Sequence, residues 1–203
     1  MNIKNVVFDV GQVLVDFRWH EYMQDLGFPE AEIDELGGRM VMSRYWHELD
    51  LGIQNEEDAP EYFSSIMPQY KNEIKLFWKR IEEIVVPFSY SGPMVRKIKE
   101  QGYKVYLLSN YPVQMAKVHW AKMDFMDELD GYIISAQEHL SKPDPAIYRL
   151  LEKKFGIDLT ESVFIDDRED NVAAAGKLGM KEILFTGYDD LRKSLDLLGI
   201  SIP

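Results

Sequence analysis

Cysteine is absent from all 203 residues. That excludes a disulfide framework, a thiolate metal site and a thiol nucleophile, and it agrees with a reducing cytoplasm. Basic residues are scarce: 23 Lys and Arg stand against 35 Asp and Glu, a formal net charge of -12. Such a field repels nucleic acid and anionic lipid, so neither a polynucleotide nor a membrane surface is an expected partner. A small anion remains compatible, because a local cation, a metal or a helix N-terminus can outweigh the global field. No apolar run approaches a membrane span, and the opening MNIKNVVFDV lacks the long apolar stretch of a signal peptide. Internal repeats and low-complexity segments are missing too. The expectation is a cytoplasmic α/β protein of one globular domain, or a core with a modest insertion. Oligomeric state has no signature in the sequence.

What is present is a recurrence of short apolar runs ending in polar residues: NVVFDV (5–10), KVYLLSN (104–110), GYIISA (131–136), SVFIDD (162–167) and EILFT (182–186). Strands buried on both faces of a parallel sheet read this way. Helical patterns lie between them: PMVRKIKEQG (93–102), PAIYRLLEKKFG (145–156), NVAAAGKLG (171–179) and YDDLRKSLDLLG (188–199). Several start at Pro or stop at Gly, as helices do. Strands alternating with helices predict right-handed crossovers and a doubly wound parallel sheet. The stretch from about Arg18 to Pro87 breaks the alternation, with helix-period hydrophobicity and no good strand. It reads as a helical insertion after the first strand, with VPFSYSGP (86–93) as its return hinge.

In open α/β sheets, ligands bind beyond the carboxyl ends of the strands. This sequence puts Asp9, Ser109, Asn110, Asp166 and Asp167 there, with Lys142 of SKPDPAIY on a nearby loop. Singly, each has a plain structural reading. Asp9 can end a strand, Ser109-Asn110 before Pro112 can cap a helix, Lys142 can sit in a turn, and the acidic pair can cap the next helix. Together they are more specific. Adjacent carboxylates at buried strand ends repel, and a divalent cation relieves the repulsion.

These residues carry a resemblance to the haloacid dehalogenase-like hydrolase superfamily. VVFDVGQVLVD resembles its first motif, VYLLSN the second, SKPDPAIY the third and SVFIDDREDN the fourth. The resemblance implies a Rossmann-like core at 1–16 and 89–203 and a helical cap at 17–88. It further implies that Asp9 is the nucleophile, forming an aspartyl-phosphate. Ser109 and the Asn110 backbone would hold phosphoryl oxygens, and Lys142 would neutralise both phosphate and nucleophile. Magnesium would be held by Asp9, the Gly11 carbonyl and Asp167, with Asp166 closer or acting through water, and Asp170 and Asn171 behind them. The implied partner is a small phosphorylated metabolite.

Gly11 departs from the pattern of most phosphatases in the superfamily, which carry a second Asp there to move a proton. The form Asp-x-Gly, followed by an amide (here Gln12) and Val, resembles a bacterial subgroup that includes α-D-glucose 1-phosphate phosphatases. Acid–base help of this kind is worth about 10²–10⁴-fold and matters most for basic leaving groups. The expectation is therefore a preference for hexose 1-phosphates over 6-phosphates. His20 and His47 are candidate replacements for the missing acid, and Trp19, Arg44, Tyr45 and Trp46 candidate substrate contacts, although such residues at helical spacing usually pack. Two readings compete: a metal-free 2-haloacid dehalogenase, and a phospho-ligand-binding module that has lost turnover. The acidic pair opposes the first, and retention of Asp9, Lys142 and both acids opposes the second.

Overall fold

The computed structural model describes residues 2–203. Among the described residues, seven strands run in chain order: β1 Asn5–Phe8, β2 Val15–Phe17, β3 Val85–Pro87, β4 Lys104–Ser109, β5 Gly131–Ile134, β6 Ser162–Asp166 and β7 Lys181–Leu184. Five of them form one parallel sheet in the order β5-β4-β1-β6-β7. Helices α1 Trp19–Asp25, α2 Glu30–Leu36, α3 Arg44–Asp50, α4 Ala59–Ile66 and α5 Lys71–Lys79 fill the insert between β2 and β3. The remainder are α6 Ser91–Glu100, α7 Val113–Trp120, α8 Ser135–Glu138, α9 Pro145–Phe155, α10 Glu169–Gly176 and α11 Tyr188–Asp196.

The strands bury both faces, and their side chains sort by the period of two. Val6, Phe8, Val105, Leu107, Val163 and Ile165 face one apolar layer, which takes in α6 and α11 through Val95, Ile98, Leu191 and Leu195. Val7, Tyr106, Leu108 and Phe164 face the other, built on Ile147, Tyr148 and Leu151 of α9 and Val172 of α10. Helices on both faces make the sheet doubly wound, as the alternation predicted. The register Val6↔Val105 and Val6↔Val163 brings the carboxyl ends of β4, β1 and β6 level. Chain direction across the sheet reverses at β1, so Asp9 sits where such folds bind ligands. Helix α9 shows why its bounds were legible: Asp144 accepts from the Ala146 N–H at 2.8 Å, Pro145 opens it, and Gly156 ends it at φ 66°.

Between β2 and β3 the structure departs from the sequence expectation. Val85–Pro87 is not an irregular hinge but a strand, antiparallel to Val15–Phe17 in the register Val15↔Pro87, Asp16↔Val86, Phe17↔Val85. Three residues are too few for a period to emerge beside a helical stretch, and their pairing is imposed by the chain's return next to its departure. Pro87 is tolerated because it closes the short ladder at its end. The strand expected over 131–136 also stops early, its last two residues opening α8. Among the described residues, no helix is long and apolar enough to cross a membrane.

The insert has its own aromatic centre. Phe77 is fully buried and meets Tyr22 at 5.3 Å and Trp78 at 5.8 Å between ring centroids, both edge-on. The Tyr22 hydroxyl donates to the Phe77 carbonyl at 2.6 Å, so the ring's backbone is held as well. Truncating a buried Phe costs about 3–5 kcal/mol. Urea unfolding of Phe77→Ala is expected to show a loss of that size. Leu197, 88% exposed, is expected to tolerate Ser within about 0.5 kcal/mol.

Candidate active site

The carboxyl ends of β1, β4 and β6 deliver three of the expected residues to one point. Asp9 follows β1, and its N–H donates to the Ile165 carbonyl at 2.8 Å, extending the pairing past the strand's end. Ser109 ends β4 and donates its hydroxyl to Asp9 Oδ1 at 3.2 Å. Lys142 is buried, its ammonium 2.7 Å from Asp9 Oδ1 and 2.7 Å from Asp166 Oδ2. Asn110 fixes the backbone of Lys142 rather than facing a ligand with its side chain. Its carboxamide accepts from the Lys142 N–H at 2.8 Å and donates to the Lys142 carbonyl at 3.0 Å.

Asp166 is fully enclosed and saturated. Besides Lys142 it accepts from the Arg168 N–H at 2.8 Å and from the Asn171 amide at 2.9 and 3.0 Å. Asp167, next in sequence, is exposed, so the two adjacent acids have different surroundings. Carboxylate oxygens of Asp9, Asp166 and Asp167 lie within 4.8 Å of one another. Burial, then Asp166, push Asp9 up to about 6 against the pull of Lys142. Asp167, although exposed as a residue, is raised by partial desolvation of its carboxyl and by Asp166. Burial alone would lower the Lys142 pKa, yet the two carboxylates hold it above the ordinary value. The site thus gathers more negative charge than one ammonium offsets, with oxygen donors throughout, a set suited to a hard divalent cation.

A cavity of about 370 Å³ opens over this cluster, lined by Asp9, Gly11, Ser109, Asn110, Lys142 and Asp167. A Cβ added at Gly11 would meet no atom within 4 Å. The insert contributes Trp46, His47 and Asp50 to the lining, and β2 contributes Phe17. Of the insert residues singled out in the sequence, only Trp46 and His47 reach the cavity. His20 pairs with Glu30 at 2.8 Å, Arg44 with Glu48 at 2.8 Å, Tyr45 stacks on Tyr62, and Trp19 lies against Gly37. Asn171 braces Asp166, whereas Asp170 sits exposed in the first turn of α10, outside the lining.

Among the lining residues not foreseen are Tyr111, His119, Arg168 and Asp50. Tyr111 directly follows Ser109-Asn110; its hydroxyl bonds His119 Nδ1 at 2.7 Å. Because His119 Nε2 meets the Ile81 carbonyl at 2.9 Å, that nitrogen is the donor and Nδ1 accepts from Tyr111. Burial lowers the His119 pKa, in keeping with a neutral ring. Arg168 follows the acidic pair and brings a cation to the rim. Asp50 ends α3, four residues after Trp46 and on its face. That spacing was the only signal available for it.

The chain has relatives among known proteins. It is 27% identical over 198 residues to the sesquiterpene phosphatase astK of Aspergillus oryzae, covering 96% of this chain and 94% of that one. It is 25% identical to D-ribitol-5-phosphate phosphatase of Bacteroides thetaiotaomicron, covering 97% and 98%. The magnesium complex of a HAD family enzyme from Bacteroides thetaiotaomicron superposes with a TM-score of 0.70 at 25% identity, covering 93% of this chain and 96% of that one. The family description "haloacid dehalogenase-like hydrolase" matches residues 3–179. A match running from the first strand past the helix behind the acidic pair leaves one assignment: the chain belongs to the haloacid dehalogenase-like hydrolases.

Proposed function

We propose that this hydrolase is a magnesium-dependent phosphomonoesterase acting on a small sugar phosphate through an aspartyl-phosphate on Asp9. One observation carries the reading. The Asp9 carboxylate lines a cavity 2.7 Å from the Lys142 ammonium and 3.2 Å from the Ser109 hydroxyl. A carboxylate oxygen of Asp9 attacks phosphorus and the bond to the departing ester oxygen breaks. Lys142 and Ser109 stabilise charge on the phosphoryl oxygens, preorganised by Asp166 and Asn110 so that little rearrangement is needed. Magnesium, held by Asp9, Asp167 and the Gly11 carbonyl, with Asp166 closer or through water, would add Lewis-acid charge neutralisation. Phosphatase relatives and the magnesium complex of a similar enzyme support this assignment. We read residues 17–88 as a cap whose aromatic lining shelters the reacting group from water. A metal-free dehalogenase would leave the acidic cluster without a task.

Gly11 bears on the substrate. With no carboxyl at that position, any proton for the departing oxygen has to come from elsewhere in the cavity, and an anomeric oxygen, stabilised by the ring oxygen, depends on it less than a primary sugar alkoxide does. A higher kcat/KM is expected for a hexose 1-phosphate than for the 6-phosphate of the same sugar, measured by phosphate release. The reverse order would remove the hexose 1-phosphate assignment. Asp9→Asn should abolish release of p-nitrophenolate from p-nitrophenyl phosphate, and retained turnover would sink the covalent route.

Metal binding has its own readout. A carboxyl whose folded pKa is raised keeps its proton to higher pH than in the unfolded chain. The metal-free protein therefore loses stability from Asp9 as pH rises from 3.8 through about 6. Protons and magnesium compete for that carboxylate. The rise in Tm on adding magnesium is expected to be larger at about pH 7.5 than at about pH 5, read by thermal melting. A flat or inverted profile would take Asp9 out of the metal's ligand set.

A further inference from the structure

The phosphatase reading leaves one chemical task without an agent. The departing oxygen needs a proton, the attacking water must lose one, and position 11 has no side chain for either. Asp50 lines the same cavity as Asp9, together with Trp46 and His47 from its own helix. Its carboxylate has no hydrogen-bond partner among the described residues, unlike that of Asp166 at the end of β6. In-line attack by Asp9 puts the departing oxygen on the far side of phosphorus, toward the cavity that the insert helps to line.

The backbone of Asp50 is held against the core from several directions. The Ser135 hydroxyl donates to the Asp50 carbonyl, and His139 Nδ1 lies 3.1 Å from the Leu51 carbonyl. Gly52, at φ 66°, presses on the Ala136 carbonyl so closely that a Cβ would collide with it. Six residues after Asp50, the Glu56 carboxylate accepts from the Gln114 and Met115 N–H groups at 2.6 and 2.8 Å, at the start of α7. The segment that carries the free carboxyl is thus fastened to α7 and α8, the helices after β4 and β5.

From this geometry we propose that Asp50 gives a proton to the departing oxygen and takes one from the attacking water. In the first step the Asp9 oxygen–phosphorus bond forms, the ester bond breaks, and the Asp50 proton passes to the departing oxygen, leaving an alcohol. In the second, water attacks phosphorus, Asp50 recovers a proton from it, and the bond to Asp9 breaks to release phosphate. The surroundings suit this cycle. Burial, then Asp9 and Glu56, push Asp50 up to about 8, with Lys142 pulling it down. Tyr111, His47, His119, Asp167 and Arg168 line the same cavity, and His139 contacts the next residue, Leu51.

The role rests on the phosphatase reading, and p-nitrophenyl phosphate with magnesium separates the two. Nitrophenolate departs without a proton, so only the second step calls on Asp50. Rapid mixing of Asp50→Asn is expected to release the first equivalent within about threefold of the wild-type rate. Steady turnover should then fall about 10²–10⁴-fold. The stalled enzyme should carry one phosphoryl group by intact mass. Adding Gly11→Asp, for which there is room, should recover turnover by at least about tenfold. Equal loss in both phases, no loss in either, or an unfolded Asp50→Asn would overturn the proposal, because an unbonded side chain at a cavity is not needed for folding. A silent wild type, or an active Asp9→Asn, would instead overturn the phosphatase reading and take this role with it.

Discussion

The Lys142 ammonium, shared between Asp9 and Asp166, is the interaction on which the rest of the site depends. Two strands end in carboxylates at the centre of a buried sheet, and one cation from a third loop lets them stay close. Breaking such a buried pair by removing one partner typically costs about 3–5 kcal/mol, because a charge is left uncompensated. The sequence supports that cation twice over. Asn110 clamps the Lys142 peptide from both sides, and Phe164 lies under its ammonium at 5.5 Å. Position, charge state and field of Asp9 therefore follow from the packing of three strand ends.

The insert meets this centre as a second partner. It is joined covalently through the β2–β3 ribbon and non-covalently through Glu56 and the Ser135–Asp50 contact. One wall of the cavity belongs to each part: charged and polar on the sheet side, aromatic and acidic on the insert side. A small molecule bound there is compared against both at once, which ties recognition to enclosure.

How much of this could be read beforehand depended on the kind of signal. Asp9, Ser109 and Asp166 each end an apolar run, and Lys142 precedes Pro-Asp-Pro, so local pattern located all four. The sheet was legible for the same reason, since strands buried on both faces leave continuous apolar runs. Asp50, Tyr111 and Arg168 carry no such mark. Asp50 looks like any polar residue near a helix end, and only the docking of α3 on α8 turns it inward. Trp46 and Tyr45 are neighbours of the same type, yet one lines the cavity and the other stacks on Tyr62, a difference set by the rotation of a helix. The strand Val85–Pro87 was missed because its pairing partner lies about seventy positions away.

The β2–β3 ladder has a broader consequence. Departure and return of the polypeptide are zipped together over three residue pairs, from Val15↔Pro87 to Phe17↔Val85. Whatever is threaded beyond that neck, the two ends stay paired at the same separation. The neck therefore works as a socket: evolution can exchange the module plugged into it, and with it Asp50 and the rest of that cavity wall, without moving Asp9, Ser109 and Lys142 on the sheet side.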